Sequence, residues 1–236
     1  MKQIREKING ISSNPNRNKH LLRICDKLEE YEKTPASTSV QKHGAFEGGL
    51  ICHINLVINL AIGYATTITN HVCDSIVDGS KPRDLEEIST LCLSAESIIT
   101  CALIHDLNKV MSASGHQFYV ENILTSGKRS DKKPWSINKD CNDLEKLSLV
   151  VPDELTYLKI IIDDSSIQYP SGLTSLAVAE MWSPGIYCSL TPEEKQAIIW
   201  HEGNYAKGNK TGFTSNESLL WCVIHAADHS AAILGI

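Results

Sequence analysis

An adjacent histidine and aspartate, His105 and Asp106, end an apolar run that begins at Ile98. Lys109 follows three residues later. Burying an unpaired charge costs several kcal/mol, roughly, unless a cation or hydrogen bonds compensate it. The pair therefore predicts a buried site in which another charged group or a metal ion is its partner.

Two distant residues could complete such a site. His53 lies on an apolar helical stretch, and Asp228 lies near the end of the chain in W-C-V-I-H-A-A-D-H. Helical periodicity turns both, like His105, towards the interior, although a lone histidine on an apolar face is more often a hydrogen-bonded core residue. Two histidines and two carboxylates suit Mn²⁺, Fe²⁺, Co²⁺, Ni²⁺ or Zn²⁺ better than Ca²⁺. Such a site would leave positions open for a water and a phosphate oxygen.

The order of these residues, His, then His-Asp, then a distant Asp, resembles the HD-domain superfamily of metal-dependent phosphohydrolases. The resemblance runs from about residue 35 to 232. Four segments carry it: 43–53 (H-G-A-F-E-G-G-L-I-C-H), 102–110 (A-L-I-H-D-L-N-K-V), 197–203 (A-I-I-W-H-E-G) and 224–229 (I-H-A-A-D-H). The first segment is similar to that of stand-alone bacterial HD proteins, some of them phage-borne and some nucleases.

The resemblance implies a role for individual residues. The metal ligands would be His53, His105, Asp106 and Asp228. Asp106, Lys109 and His201 would be catalytic, with Lys109 facing the substrate phosphate and His201 binding a phosphate or a second metal. The family usually has glycine where this chain has Asn108. Relatives with this first segment often carry one more histidine where this chain reads Y-P-S-G-L-T-S. The absent histidine predicts one tightly bound divalent ion.

Other residues are candidates for contact with substrate. His43 precedes a Gly48-Gly49 pair that suits a tight turn or a close approach of backbone, and it could touch substrate or only stabilise the turn. Lys128 and Arg129 belong to a basic stretch, 125–143, that could cover an anionic ligand or be a solvated surface loop. His225 shares a face with Asp228 and could orient it.

Helices are expected to position these residues. The patterns predict helices over 19–30, 50–70, 84–106 with an irregularity near Ser94, 174–182, 191–202 and 216–234, with a loop over 34–42. Residues 147–151 and 155–162 fit either a helix or a short strand pair. We expect a single all-α, HD-domain-like helical bundle over 1–236, with a helical lead at 1–34 and a basic loop insertion at 125–143.

Bulk composition narrows the class of protein. The 236 residues carry a net charge of −6, which gives no long-range attraction for long nucleic acid. None of the eight cysteines forms a C-x-x-C pair, and four of them lie in apolar helical stretches: Cys52, Cys92, Cys101 and Cys222. This predicts buried free thiols in a reducing compartment. No apolar signal opens the chain, and the longest apolar stretch, 50–65, is short for a bilayer. We expect a cytoplasmic protein without a membrane partner.

The sequence thus predicts an enzyme: a metal-dependent phosphohydrolase that cleaves a nucleotide or related small phosphoester through a metal-activated water. Two alternatives stay open. One is a phosphodiesterase or 3′-5′ exonuclease acting on cyclic nucleotides or short RNA. The other is a degenerate HD module that binds a nucleotide without catalysis. A homo-oligomer is compatible with the sequence.

Overall fold

The computed structural model describes residues 1–10, 14–77, 93–111, 116–138, 171–203 and 218–235. Most of these residues are helical, in agreement with the all-α expectation. The helices are α1 (Lys2–Gly10), α2 (Pro15–Glu30), α3 (Gly49–Val77), α4 (Ala95–Ile104), α5 (Ser171–Trp182), α6 (Ile186–Ser189), α7 (Pro192–Ile199) and α8 (Leu219–Leu234). A turn of 3-10 helix, Leu107–Lys109, follows α4.

One hydrophobic core joins the described helices. Helix α3 packs against α4 and α8, and α7 packs against α4, α5 and α8. The 3-10 helix lies against α5. Buried aliphatic side chains extend through this core without a break from Ile4 on α1 to Ala231 on α8. The elements that carry the predicted site residues therefore meet at the centre of the core.

Helix α3 is the long central element. Its fully buried residues recur every three or four positions, which defines one core-facing stripe: Leu50, His53, Ile54, Val57, Ile58 and Ala61. His53 is thus placed by the same periodicity that buries its aliphatic neighbours. The segment Gly49–His71 is long and apolar enough to cross a membrane by length and composition. This is weak evidence for a membrane span, because core helices often pass the same test.

The helix starts follow local capping chemistry. Asn14 caps α2 by accepting bonds from the backbone of Asn16 and Arg17. The predicted capping box of α7 is confirmed, with Thr191 and Glu194 bonded reciprocally. Ser94, where an irregularity was expected, caps α4. The earlier part of that predicted helix, 84–92, and the predicted start of the last helix at Asn216 lie outside the described residues.

The stretch 125–143 is not simply a loop. Strand β2 (Trp135–Ile137) pairs antiparallel with β1 (Tyr119–Glu121), with Tyr119 opposite Ile137 and Glu121 opposite Trp135. Each strand has three residues, which is too short for an alternating pattern to be recognised in the sequence. Residues 139–143, and the ambiguous segments 147–151 and 155–162, lie outside the described residues.

A buried ionic group holds together helices α2, α4 and α7. Arg17 Nη1 lies 2.7 Å from Glu194 Oε1, and its Nε lies 3.5 Å from Glu96 Oε1. The third guanidinium nitrogen, Nη2, donates to the carbonyl of Ser189. Because Glu194 is fully buried, Arg17 compensates a charge that would otherwise be costly. The network fixes α4 and α7, which lead to His105 and His201.

Five cysteines are free thiols: Cys25, Cys52, Cys101, Cys188 and Cys222. Cys101 is buried, as expected, and Cys222 is partly buried. The expectation was wrong for Cys52, which is exposed on the solvent side of α3. Cys92, also expected to be buried, lies outside the described residues.

Candidate metal centre

The fold brings four of the predicted site residues into one buried cluster. His53 comes from α3, His105 and Asp106 from the end of α4, and Asp228 from α8. One possible ligand atom from each residue lies within 4.8 Å of the corresponding atom of every other residue. The cluster could hold a metal ion, as the sequence predicted.

The distances between these atoms are short. His53 Nε2 lies 3.3 Å from Asp106 Oδ2 and 3.0 Å from Asp228 Oδ1. His105 Nε2 lies 3.3 Å and 3.7 Å from the same two oxygens. The two Nε2 atoms are 3.4 Å apart. All four donor atoms therefore face one small volume.

Burial gives the cluster strong electrostatic coupling. His53 and His105 are fully buried, whereas the side chain of Asp228 retains 18% exposure, which marks the open side of the site. Burial alone would lower the pKa of His105, but the charge of Asp106 and the nearby Asp228 raise it to about 10. Burial opposes ionisation of both carboxyls too, yet Lys109 and His105 hold the pKa of Asp106 well below its usual range. Bonds from His105 and His53 do the same for the pKa of Asp228.

The ring orientation of His105 is set by the backbone. Its Nδ1 donates a hydrogen bond to the carbonyl of Ala102, 2.8 Å away, which leaves Nε2 free of a proton in the neutral ring. This is the arrangement expected of a histidine ligand whose other nitrogen is bonded to a carbonyl. His105 is therefore oriented to bind a metal through Nε2.

Ser175 on α5 fixes the turn that carries His105 and Asp106. Its hydroxyl donates to the carbonyl of His105, 2.7 Å away, and accepts from the backbone N–H of Asn108 at 3.1 Å. The same hydroxyl lies 3.0 Å from Asn108 Oδ1. Asn108, which stands where the resembled family usually has glycine, thus takes part in holding the turn. Sequence reasoning did not identify Ser175, because nothing in a serine on an apolar helix indicates which turn it contacts.

Lys109 lies directly against the cluster. Its Nζ is 2.6 Å from Asp106 Oδ2, and its side chain keeps 17% exposure. Although burial opposes the charged form, the attraction of Asp106 raises the pKa of Lys109. The ammonium group is therefore charged and lies directly beside Asp106.

His201 lies on the other side of Asp106. Its Nε2 is 3.6 Å from Asp106 Oδ1, and its Nδ1 donates to the carbonyl of Ile198 at 2.8 Å. Helix α7 ends at Ile199, so His201 lies in the following turn instead of inside the helix. His225, expected to orient Asp228, donates to the carbonyl of His201 at 2.6 Å. A side chain at Gly203 would collide with the His225 ring, which explains the glycine there.

His43 lies next to His53, with ring centroids 4.8 Å apart. Burial, together with Lys109 and His53, lowers the pKa of His43 to about 4, so its ring is neutral at pH 7. The predicted close approach of backbone at the glycines is confirmed: a Cβ on Gly49 would collide with the carbonyl oxygen of Gly44. The loop between α2 and α3 thus places the imidazole of His43 against that of His53.

The two predicted cations of the basic stretch lie apart from the cluster. Lys128 and Arg129 are exposed, and Arg129 Nη1 lies 3.4 Å from Glu121 and 3.6 Å from Glu47. Its guanidinium also lies over the Trp135 ring, 5.6 Å from the centroid. Among the described residues, neither cation forms an ion pair with the four clustered side chains. Their predicted contact with substrate stays a prediction.

Tyr119 is a residue near the site that sequence reasoning missed. It lies at the start of β1, where Phe118 N–H donates to the carbonyl of Val110 and brings the strand beside the 3-10 helix. Tyr119 is buried, which raises the pKa of its phenol, and the phenol interacts with the charges of Lys109 and Asp106. No signal could have found it, because the hairpin itself was not predicted.

No protein-family model matches the chain, and comparisons with curated proteins and with solved structures find no significant match. The chemistry of the cluster therefore has to be inferred from its own residues.

Proposed function

We propose that the protein is a metal-dependent phosphohydrolase of the HD-domain type that hydrolyses a nucleotide or a related small phosphoester. The observation that supports this best is the buried cluster of His53, His105, Asp106 and Asp228, in the order and on the helices that the resemblance implies. The helical fold is compatible with an HD-like bundle.

The donor atoms have the spacing expected around a single ion. Ligand atoms about 2.1 Å from an ion and at right angles to each other are separated by about 3 Å. The separations of 3.0–3.7 Å between the imidazole nitrogens and carboxylate oxygens are close to this value. Two carboxylates offset the charge of a divalent cation, and the mixed donor set favours Mn²⁺, Fe²⁺, Co²⁺, Ni²⁺ or Zn²⁺.

A divalent ion at this site would lower the pKa of a bound water towards about 7 and neutralise charge on a phosphoryl group. The chain's own residues would then orient the substrate. Lys109 presents an ammonium group beside Asp106, where it can bind a phosphate oxygen. His201 Nε2 lies 3.6 Å from Asp106 Oδ1. From there it can bind a second phosphate oxygen or donate a proton to the leaving oxygen.

Hydrolysis of a substrate panel tests the proposal. The wild-type protein, loaded in turn with Mn²⁺, Co²⁺ or Ni²⁺, would be incubated with nucleoside mono-, di- and triphosphates, cyclic nucleotides, linear dinucleotides and short RNA. We expect metal-dependent release of phosphate or nucleoside that is lost in Asp106→Ala. A metal-loaded protein that cleaves nothing in the panel would contradict the proposal.

The same panel separates the alternatives. Cleavage limited to cyclic or linear diesters would identify a phosphodiesterase or exonuclease, which would use the same metal ligands. Recovery of an unchanged nucleotide bound to the purified protein, together with no turnover, would indicate a binding module.

A further inference from the structure

Two imidazole nitrogens beside the cluster lack a hydrogen-bond partner among the described residues: Nδ1 of His53 and Nε2 of His43. Both atoms are buried, and the two rings are adjacent, with centroids 4.8 Å apart and planes inclined by 34°. A buried polar atom without a partner is energetically unfavourable. A hydrogen bond between the two nitrogens would satisfy both.

Metal ligation fixes which nitrogen carries the proton. His53 Nε2 faces Asp106 and Asp228, so it is the nitrogen that would bind the ion. A neutral ring that binds a metal through Nε2 carries its proton on Nδ1, which must then donate to an acceptor. The neighbouring His43 Nε2 offers a lone pair when the His43 ring is protonated on Nδ1.

We propose that His43 is the positioning residue of His53: when the metal is bound, His53 Nδ1–H donates to His43 Nε2 and fixes the orientation of the ligand ring. The inference rests on the proposed function only in taking His53 as a metal ligand. In this role His43 orients the metal ligand His53, whereas the sequence suggested that His43 touches substrate or stabilises a turn.

The loop that holds His43 is constrained in a way that suits this role. The Ala36 N–H donates to the carbonyl of Gly44 at 2.7 Å, and Gly44 adopts a left-handed conformation with φ near +61°. Leu50 N–H donates to the carbonyl of Thr34 at 3.0 Å, which ties the loop to the start of α3. The backbone that carries His43 is therefore fixed before the metal binds, so only side-chain freedom is lost when the bond forms.

Substitutions at His43 distinguish the need for a hydrogen-bond acceptor from the need for a side chain of similar size. The terminal amide of glutamine reaches the position of Nε2 and can accept the bond, whereas asparagine reaches only the position of Nδ1. The dissociation constant for Co²⁺ would be measured by competition with a chromogenic chelator, for the wild type and for His43→Gln, His43→Asn and His43→Leu. Losing such a partner costs typically about 10–100-fold in metal affinity.

We expect His43→Asn and His43→Leu to weaken Co²⁺ binding by about 10–100-fold and His43→Gln to stay near the wild type. Proton-detected ¹⁵N spectra of the Zn²⁺-loaded wild type should show the His53 Nδ1–H resonance, shifted in the leucine variant. Circular dichroism of the chelator-treated variants checks folding, and the glutamine and leucine pair suffices if asparagine does not fold.

Wild-type Co²⁺ affinity in both His43→Asn and His43→Leu would overturn the inference. If the same variants instead raise the KM for substrate at saturating metal, His43 contacts substrate and the positioning role is wrong. A wild-type protein that binds no metal would overturn both this inference and the proposed function. A wild type that binds metal normally, with insensitive variants, would overturn this inference alone.

Discussion

At the scale of single residues, Asp106 is the group on which the site depends most. Its Oδ2 lies within hydrogen-bonding or ion-pairing distance of His53, His105 and Lys109, and its Oδ1 faces His201. One carboxylate thus connects the candidate metal ligands with the residues that would meet substrate. Replacing it should affect metal binding and catalysis together.

Replacing Lys109 should instead affect catalysis without weakening metal binding. Lys109→Met removes the cation that lies beside Asp106, and losing one such electrostatic contact typically lowers kcat by about 10²–10³. Metal affinity should be equal or higher, because the ammonium group no longer competes for Asp106 Oδ2. Kinetics with the best substrate of the panel, alongside a metal titration, measure both. Lys109→Arg, which keeps the charge, is the control, and unchanged kcat in Lys109→Met would exclude a role in catalysis.

The pKa of His105 predicts how the stability of the metal-free protein depends on pH. Its folded pKa of about 10 lies above the ordinary value of 6.5. The folded state therefore keeps a proton that the unfolded chain releases, so this stabilisation is complete below pH 6.5 and is lost as pH rises towards 10. Urea unfolding of chelator-treated protein should show that the free energy of unfolding falls between pH 6.5 and 10. His105→Gln should reduce the slope, and an identical slope in the variant would show that His105 is not the cause.

At the scale of elements, the junction between α4 and the 3-10 helix is held from outside by α5. Ser175→Ala would leave the carbonyl of His105 and the N–H of Asn108 without their partner, which should destabilise the fold by about 1–3 kcal/mol. Metal affinity should fall as well, because the turn carries His105 and Asp106. Urea unfolding and a Co²⁺ titration measure these effects.

Helix α5 also supplies a matched control for Ser175→Ala. The hydroxyl of Ser171 is buried and has no hydrogen-bond partner among the described residues. Ser171→Ala is the same substitution on the same helix and should be neutral or slightly stabilising. Equal effects of the two substitutions would mean that the Ser175 hydrogen bonds do not hold the turn.

Sequence reasoning succeeded where the pattern within one segment was sufficient to place a residue. His53 was recognisable because it shares a stripe with Leu50 and Val57, and Thr191 with Glu194 formed a capping box that needed no tertiary context. Ser175, Tyr119 and the hairpin were missed for a common reason. Their roles depend on contacts between segments distant in the sequence, and short strands leave no pattern of their own.

At the scale of the whole molecule, the cluster joins α3, α4 and α8, so a bound ion would tie together helices from the first and last parts of the chain. An ion that binds only the folded state stabilises it by about 2.7 kcal/mol at 100 times its Kd. For a chain of this size that should raise Tm by about 5–10 °C. Differential scanning calorimetry with added Mn²⁺ or Zn²⁺ measures the shift.

Asp228→Asn is the control for this stabilisation. It keeps the size of the side chain but removes one of the two carboxylates that offset the charge of the ion. The metal-dependent rise in Tm should be smaller or lost in this variant. A rise of the same size in both proteins would place the stabilising ion somewhere other than the cluster.

Metal stoichiometry shows whether the buried cluster of His53, His105, Asp106 and Asp228 holds a metal ion. Inductively coupled plasma mass spectrometry would be applied to the wild type and to Asp106→Ala, each loaded with Co²⁺ and then desalted. We predict about one ion per wild-type chain and almost none in the variant. A wild type without bound metal, or a variant that keeps the same amount, would mean that the cluster is not the metal site.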